Sequence, residues 1–206
     1  MKKHSALTLI MALTLCCTQF AQAQGNKEAN KLAREGAEAS KNQDYDKAVE
    51  LLRKASGLDH KYAADLAAVY QGRGYAFAKN QQFQEAIQDY TEALKIKSND
   101  PRIYEQRAAV EMKMRDYDKA LADYSEIIKL KPNEVRYYNY RAYIYETKED
   151  IQNSMVDVEK VLKLDPNNQE ANARKQRLEQ KQAESAPLTP PPGVSPKASP
   201  PAKRTP

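Results

Sequence analysis

Apolar residues recur at helical spacing, three or four apart, through most of the chain, and short polar turns rich in Asp, Asn, Gln and Lys separate them. This pattern predicts two interleaved sets of helices. The first set falls near 27–42, 63–80, 101–114 and 135–148, and the second near 45–57, 83–96, 117–130 and 151–164. Asp100-Pro101 is a start signal, an acidic N-cap followed by Pro at the first helical position. The turns before the second set repeat one another: Asp44-Tyr45-Asp46-Lys47-Ala48, Gln82-Phe83-Gln84-Glu85-Ala86, Asp116-Tyr117-Asp118-Lys119-Ala120 and Asp150-Ile151-Gln152-Asn153-Ser154. Their second residues fall at 45, 83, 117 and 151, spacings of 38, 34 and 34. The extra four residues, around Tyr62 to Leu66, amount to about one helical turn and lengthen a helix without shifting its face.

A helix-turn-helix unit of this period resembles the tetratricopeptide repeat, from about Ala29 to Asn168. Numbering each unit from Ala29, Ala67, Pro101 and Val135, the eighth positions are Gly36, Gly74, Ala108 and Ala142. The twentieth are Ala48, Ala86, Ala120 and Ser154. The resemblance implies that these small residues sit where the paired helices touch, because only they permit close backbone approach. Leu32, Tyr70, Tyr104 and Tyr138, with Leu52, Tyr90, Tyr124 and Val158, fill the layers on either side. Pro132 and Pro166 stop second helices, at positions where His60 and Ser98 stand in the other units.

The implied fold is all-α, a short right-handed α-solenoid of four helix-turn-helix repeats plus a C-terminal capping helix. The repeats span about 29–66, 67–100, 101–134 and 135–168, and the cap spans 169–183. In the cap, Ala171, Ala173 and Leu178 turn to the repeats and polar groups to water, as the end of a solenoid requires. Together 24–183 form the repeat domain.

Two rows of charge run through the last three units: Arg73, Arg107 and Arg141 at the seventh position, Asp89, Asp123 and Asp157 at the twenty-third. Glu35 and Leu51 break both rows in the first unit. Partly buried Arg and Asp satisfy each other before reaching outward, so these read as internal ion pairs rather than a ligand-binding row.

Members of the family bind extended peptides or partner helices in a concave groove lined by the first helices. Carried onto this sequence, the resemblance places Tyr75, Lys79, Arg102, Lys113, Arg136, Asn139 and Tyr143 there as the candidate binding residues. Guanidinium forks and rigid aromatic rings suit peptide recognition. In the tyrosine-dense helix of the fourth unit, Tyr138 and Tyr145 share a core face, whereas Tyr140 and Tyr143 are placed to meet a partner. The carboxylate clamp of chaperone-binding members is absent: its places hold Ala33, Ala37, Gly72, Arg102 and Gln106, of which only Arg102 fits.

The ends add a compartment. Met1-Lys2-Lys3, an apolar run from Ala6 to Cys17 and Ala21-Gln22-Ala23 make a secretory signal peptide over 1–23, too short in its apolar part to span a membrane. Cys16 and Cys17 leave with it, so the processed chain has no thiol; Leu15 before Cys16 is a poor match to a lipoprotein signal. The expected location is periplasmic or secreted. Residues 184–206 hold eight prolines and read as a disordered tail.

The net charge of +5 falls to +3 without Lys2 and Lys3, with both signs interspersed. That argues against a nucleic-acid partner, which needs a concentrated basic face. His60 is the one histidine outside the leader region and sits in a turn, with no phosphate loop or metal-ligand spacing elsewhere. No enzymatic activity, cofactor, metal or small-molecule substrate is expected. The expected function is a protein-protein interaction scaffold in the bacterial envelope, holding a partner peptide or helix in its groove. The alternative is a structural accessory or spacer acting through the proline-rich tail.

Overall fold

The computed structural model describes residues 24–185; residues 1–23, where the expected signal peptide with Cys16 and Cys17 falls, and the expected tail beyond Ser185 lie outside the described residues. The chain forms α1 (24–41), α2 (Tyr45–Leu58), a 3₁₀ turn (His60–Tyr62), α3 (Ala63–Lys79), α4 (Phe83–Ile96) and α5 (Pro101–Lys113). There follow α6 (Tyr117–Leu130), α7 (Val135–Thr147), α8 (Ile151–Leu164) and α9 (Gln169–Ser185). From α2 onward each helix packs on the next, so the architecture is an α-solenoid of helix pairs closed by α9. Among the described residues there is no strand, and no helix is long and apolar enough to cross a membrane.

Local chemistry fixes the ends of these helices. The side chains of Asp100 and Asp150 accept hydrogen bonds from the N–H groups of Arg102 (3.0 Å) and Asn153 (3.1 Å), satisfying donors left free in the first turn. The second helices stop at the same place with and without proline. Lys97 N–H, with Ser98 after it, donates to Ala93 O at 2.8 Å, and Lys131 N–H, before Pro132, donates to Ile127 O at 2.8 Å. The four inserted residues do lengthen one helix: α3 has 17 residues against 13 in α5 and in α7.

The turn inside each pair has one geometry used four times. Gln43, Gln81, Arg115 and Glu149 have φ of 61°, 63°, 60° and 61°. The next N–H reaches back over the turn, from Asp44 to Ala39 O and from Gln82 to Phe77 O, both at 2.9 Å. Asp116 and Asp150 do the same to Glu111 O (2.9 Å) and Tyr145 O (2.8 Å). This is the Schellman closure, which orients the second helix back along the first.

Close packing then depends on small residues. A Cβ at Gly36 would lie 2.8 Å from Leu52 Cγ, and one at Gly74 would lie 3.0 Å from Tyr90 Cε1. Ala108, Ala142, Ala48, Ala86, Ala120 and Ser154 are fully buried at the matching positions. Tyr104 and Tyr138 hang their hydroxyls on the carbonyls of Ser98 (3.1 Å) and Pro132 (3.0 Å).

The two charged rows meet inside the pairs. Arg73 Nε and Nη2 donate to the two carboxylate oxygens of Asp89 at 2.7 and 2.8 Å. Arg107 does the same to Asp123 (2.8 and 2.6 Å) and Arg141 to Asp157 (2.8 and 2.7 Å). The third nitrogen crosses to the preceding unit, to Asp46 (2.7 Å), Thr91 (2.9 Å) and Ser125 (3.0 Å) respectively. Each guanidinium also lies over the tyrosine three residues before it, Tyr70, Tyr104 or Tyr138, at 5.8 to 5.9 Å.

One buried acid stands outside this order. Glu111 is 2 % exposed, its Oε2 has no hydrogen-bond partner, and its Oε1 is 3.9 Å from Arg107 Nε. Ala39, Phe77 and Tyr145 hold the same position in the other units. Burial pushes its carboxyl up from 4.5 to about 7, with the Asp123 and Asp116 charges adding and Arg107 and Lys119 opposing.

Two predictions follow the buried charges. Asp123→Ala takes from Arg107 its bidentate partner, leaving only Thr91 and the more distant Glu111, and should lower unfolding free energy by about 3 kcal/mol in urea titration, while Glu126→Ala on the surface changes it by less than about 0.5 kcal/mol. Because the folded chain holds the Glu111 proton more tightly than the unfolded chain, that stabilisation is whole below pH 4.5 and is lost as pH rises through about 7. Glu111→Gln should therefore stabilise the protein by about 2 kcal/mol at pH 8 and by much less at pH 5; equal gains at both pH values would contradict this origin.

Candidate functional site

Helices α5, α7 and α9 line one side of the solenoid, and between them lies an open cleft of about 440 Å³. Its lining is Glu105, Ala109 and Met112 from α5, Tyr140 and Tyr143 from α7, Glu170 from α9, and Tyr124 from α6. Tyr124 is buried and its ring lies 5.4 Å from that of Tyr140, tilted by 35°. Burial drives the Tyr124 phenol well above its ordinary range, so it stays neutral. Tyr140 and Tyr143 are 47 % and 48 % exposed, an amount of open aromatic surface that a buried core does not leave.

The C-terminal helix builds one wall. Arg174, almost fully buried, donates to Glu146 (3.0 Å), to Glu170 (3.0 Å) and to the carbonyl of Asn139 (3.4 Å), and its guanidinium lies 6.0 Å from the Tyr143 ring. Arg177 adds two further bonds to Glu146, at 3.1 and 3.2 Å. Burial opposes ionisation of Glu146, yet Arg177 and Arg174 hold its carboxyl below the ordinary range. On the opposite wall Arg136 lies over the Tyr137 ring at 4.5 Å and pairs with Glu105 at 3.1 Å. Tyr137 is fully buried and donates to Glu105 at 3.1 Å.

Of the seven candidate binding residues, Tyr143 lines the cleft and Arg136 flanks it through Glu105. Tyr75, 60 % exposed, and Lys79 stand on α3, away from the cleft lining, and Lys113 lies 5.8 Å from the Phe83 ring. Arg102 is exposed but folded back on its own N-cap, donating to both oxygens of Asp100 at 3.1 and 2.9 Å. Asn139 is a correction: it is 7 % exposed, because α9 covers it, and so it presents no open surface to a ligand. Tyr138 is buried and Tyr140 and Tyr143 are open, as helical spacing predicts, whereas Tyr145 is only half-buried.

Sequence reasoning assigned Tyr124 to the core alone and passed over Glu170. Continuing the repeat count into α9 would have placed Glu170 at the second position, the place held by Arg102 and Arg136. Among the described residues no three His, Cys, Asp or Glu side chains gather as a metal site would require.

Two family models match the chain, one described as TPR repeat over residues 74–114 and one as tetratricopeptide repeat over residues 106–169. No curated protein matches it significantly. Among solved structures, the first TPR domain of Spaghetti (RPAP3) bound to the HSP90 peptide SRMEEVD is 25 % identical with a TM-score of 0.50, covering 57 % of this chain and 93 % of that one. The Arabidopsis OM64 TPR domain is 24 % identical with a TM-score of 0.51, covering 58 % and 98 %. A tetratricopeptide repeat protein from Parabacteroides merdae is 20 % identical with a TM-score of 0.51, covering 77 % of this chain and 61 % of that one. Sequence match and helix-pair architecture agree over residues 74–169, the stretch that the two tetratricopeptide-repeat models match.

Proposed function

We propose that this protein is a non-enzymatic interaction scaffold, exported to the bacterial envelope, that holds a partner peptide or helix in the cleft between α5, α7 and α9. The observation that carries the reading is the open tyrosine surface itself. Tyr140 and Tyr143 are half exposed beside Met112 and Ala109, on a buried Tyr124 floor. Aromatic rings with few rotamers to freeze give large contact area at low entropic cost, which is why they anchor protein interfaces. A peptide bound to a domain of the same architecture supports the reading. The signal-like leader supports export, with the processed protein periplasmic or secreted and no membrane span left in it.

The cleft differs chemically from a site for an acidic peptide. Its charged lining residues are Glu105 and Glu170, and the arginines nearby are engaged by carboxylates. An apolar or aromatic anchor flanked by neutral or basic residues is the matching ligand.

Selection of peptides from a displayed random library on the immobilised protein tests the proposal. Enriched peptides should bind the wild type and lose about tenfold or more in affinity with Tyr140→Ala plus Tyr143→Ala. Val156→Ala, at an exposed apolar residue of α8, should leave affinity unchanged. Selected peptides that bind the double variant as tightly as wild type would place recognition elsewhere.

A further inference from the structure

The tyrosine cleft also matches a segment of the same chain. We propose that residues 186–206, the proline-rich stretch that follows α9, dock in this cleft in cis and compete with the partner. The inference rests on the reading of the cleft as the binding surface, and it names the occupant when no partner is present.

Three observations converge. The first is chemical. Residues 186–206 contain Pro190-Pro191-Pro192 and Pro200-Pro201, and prolines favour an extended left-handed helix that is already ordered before binding. Such segments dock on shallow surfaces of parallel or tilted aromatic rings, with prolines between the rings. Tyr124, Tyr140 and Tyr143 provide such a surface, with Met112 and Ala109 beside them.

The second is charge. Lys197, Lys203 and Arg204 are the charged residues of 186–206, and every acidic residue of the chain lies before it. The charged residues lining the cleft are both carboxylates, Glu105 and Glu170. Each is paired, Glu105 with Arg136 at 3.1 Å and Glu170 with Arg174 at 3.0 Å, so the lining holds no excess positive charge to repel a basic segment.

The third is reach. Helix α9 begins beside the cleft at Gln169 and ends at Ser185, so its 17 residues carry the chain about 25 Å from Glu170. The 21 residues of 186–206 span up to about 65 Å as an extended proline helix, enough to turn back and cover the cleft. A tether of this length holds its ligand at an effective concentration in the millimolar range, so even weak docking is populated.

The test uses the full chain. Photocrosslinking with Val194→p-benzoylphenylalanine should give crosslinks within one chain, mapped by mass spectrometry to peptides carrying Tyr140 and Tyr143. Crosslinks joining two chains, or scattered over the convex helices, overturn the proposal. In a second arm, a labelled synthetic peptide of residues 186–206 is titrated against wild type and against Pro190→Ser, Pro191→Ser, Pro192→Ser in the full chain. The serine variant, its own segment weakened, should bind the peptide about tenfold more tightly, and Tyr140→Ala plus Tyr143→Ala should abolish the binding. Equal affinity for both chains, or no binding to either, overturns cis docking. Library-selected peptides separate the two readings: if they still depend on Tyr140 and Tyr143, the cleft stands as a binding surface and only its self-occupancy fails.

Discussion

Three buried carboxylates set the spacing of this solenoid. Asp89, Asp123 and Asp157 are almost wholly out of water, and each must be matched by two aligned donors from the first helix of its pair. A guanidinium fork meets that demand in one orientation only, so the helix pair cannot slide or rotate without leaving a buried charge bare. The remaining nitrogen of each arginine then ties the pair to the unit before it, through Asp46, Thr91 or Ser125. Such a pair adds little net stability over an apolar one, because desolvation offsets most of the attraction. Its contribution is register, and register is what a stack of similar units most needs. The first unit has Glu35 and Leu51 at these places, and its helices are held by the close Gly36–Leu52 contact instead.

Much of this frame was legible in the sequence, for a physical reason. Small residues at two fixed positions, paired Arg and Asp rows and aromatic or aliphatic residues at the turn repeat together, and chance does not align so many constraints at one period. The helix boundaries followed from the same alignment. What the alignment did not reveal is the left-handed turn residue. Gln43, Gln81, Arg115 and Glu149 are not glycines and carry no turn signature, because the Schellman hydrogen bonds impose their conformation rather than any local preference.

The binding face was legible only in part. Helical phase alone separates Tyr138 from Tyr140 and Tyr143, but it treats every first helix as equally open. Asn139 fails that assumption because α9 lies across it. The cause sits in Arg174, which reads as a solvent-facing residue of a capping helix yet is buried among Glu146, Glu170 and the Asn139 carbonyl. Whether a polar residue on a terminal helix faces water or a neighbouring carboxylate depends on residues nearly thirty positions away, and local periodicity does not encode that.

The location of the cleft is decided by side chains rather than by the frame. Successive units offer equivalent places, and the sixth position of the third unit is Gln106, whose amide oxygen accepts from Gln71 at 2.6 Å. That amide pair satisfies itself and presents polar groups between α3 and α5. One unit further on, the sixth position is Tyr140, and it meets the ring of Tyr124 instead. Tyr90 already stands in the place of Tyr124 at the earlier junction, so the change lies at the sixth position: an aromatic ring there, in place of an amide held by its neighbour, joins the buried tyrosine, and Tyr143 and Met112 extend the apolar surface. Repeat geometry thus supplies a row of similar junctions, and a single local change of chemistry selects the one at which a ligand gains by leaving water.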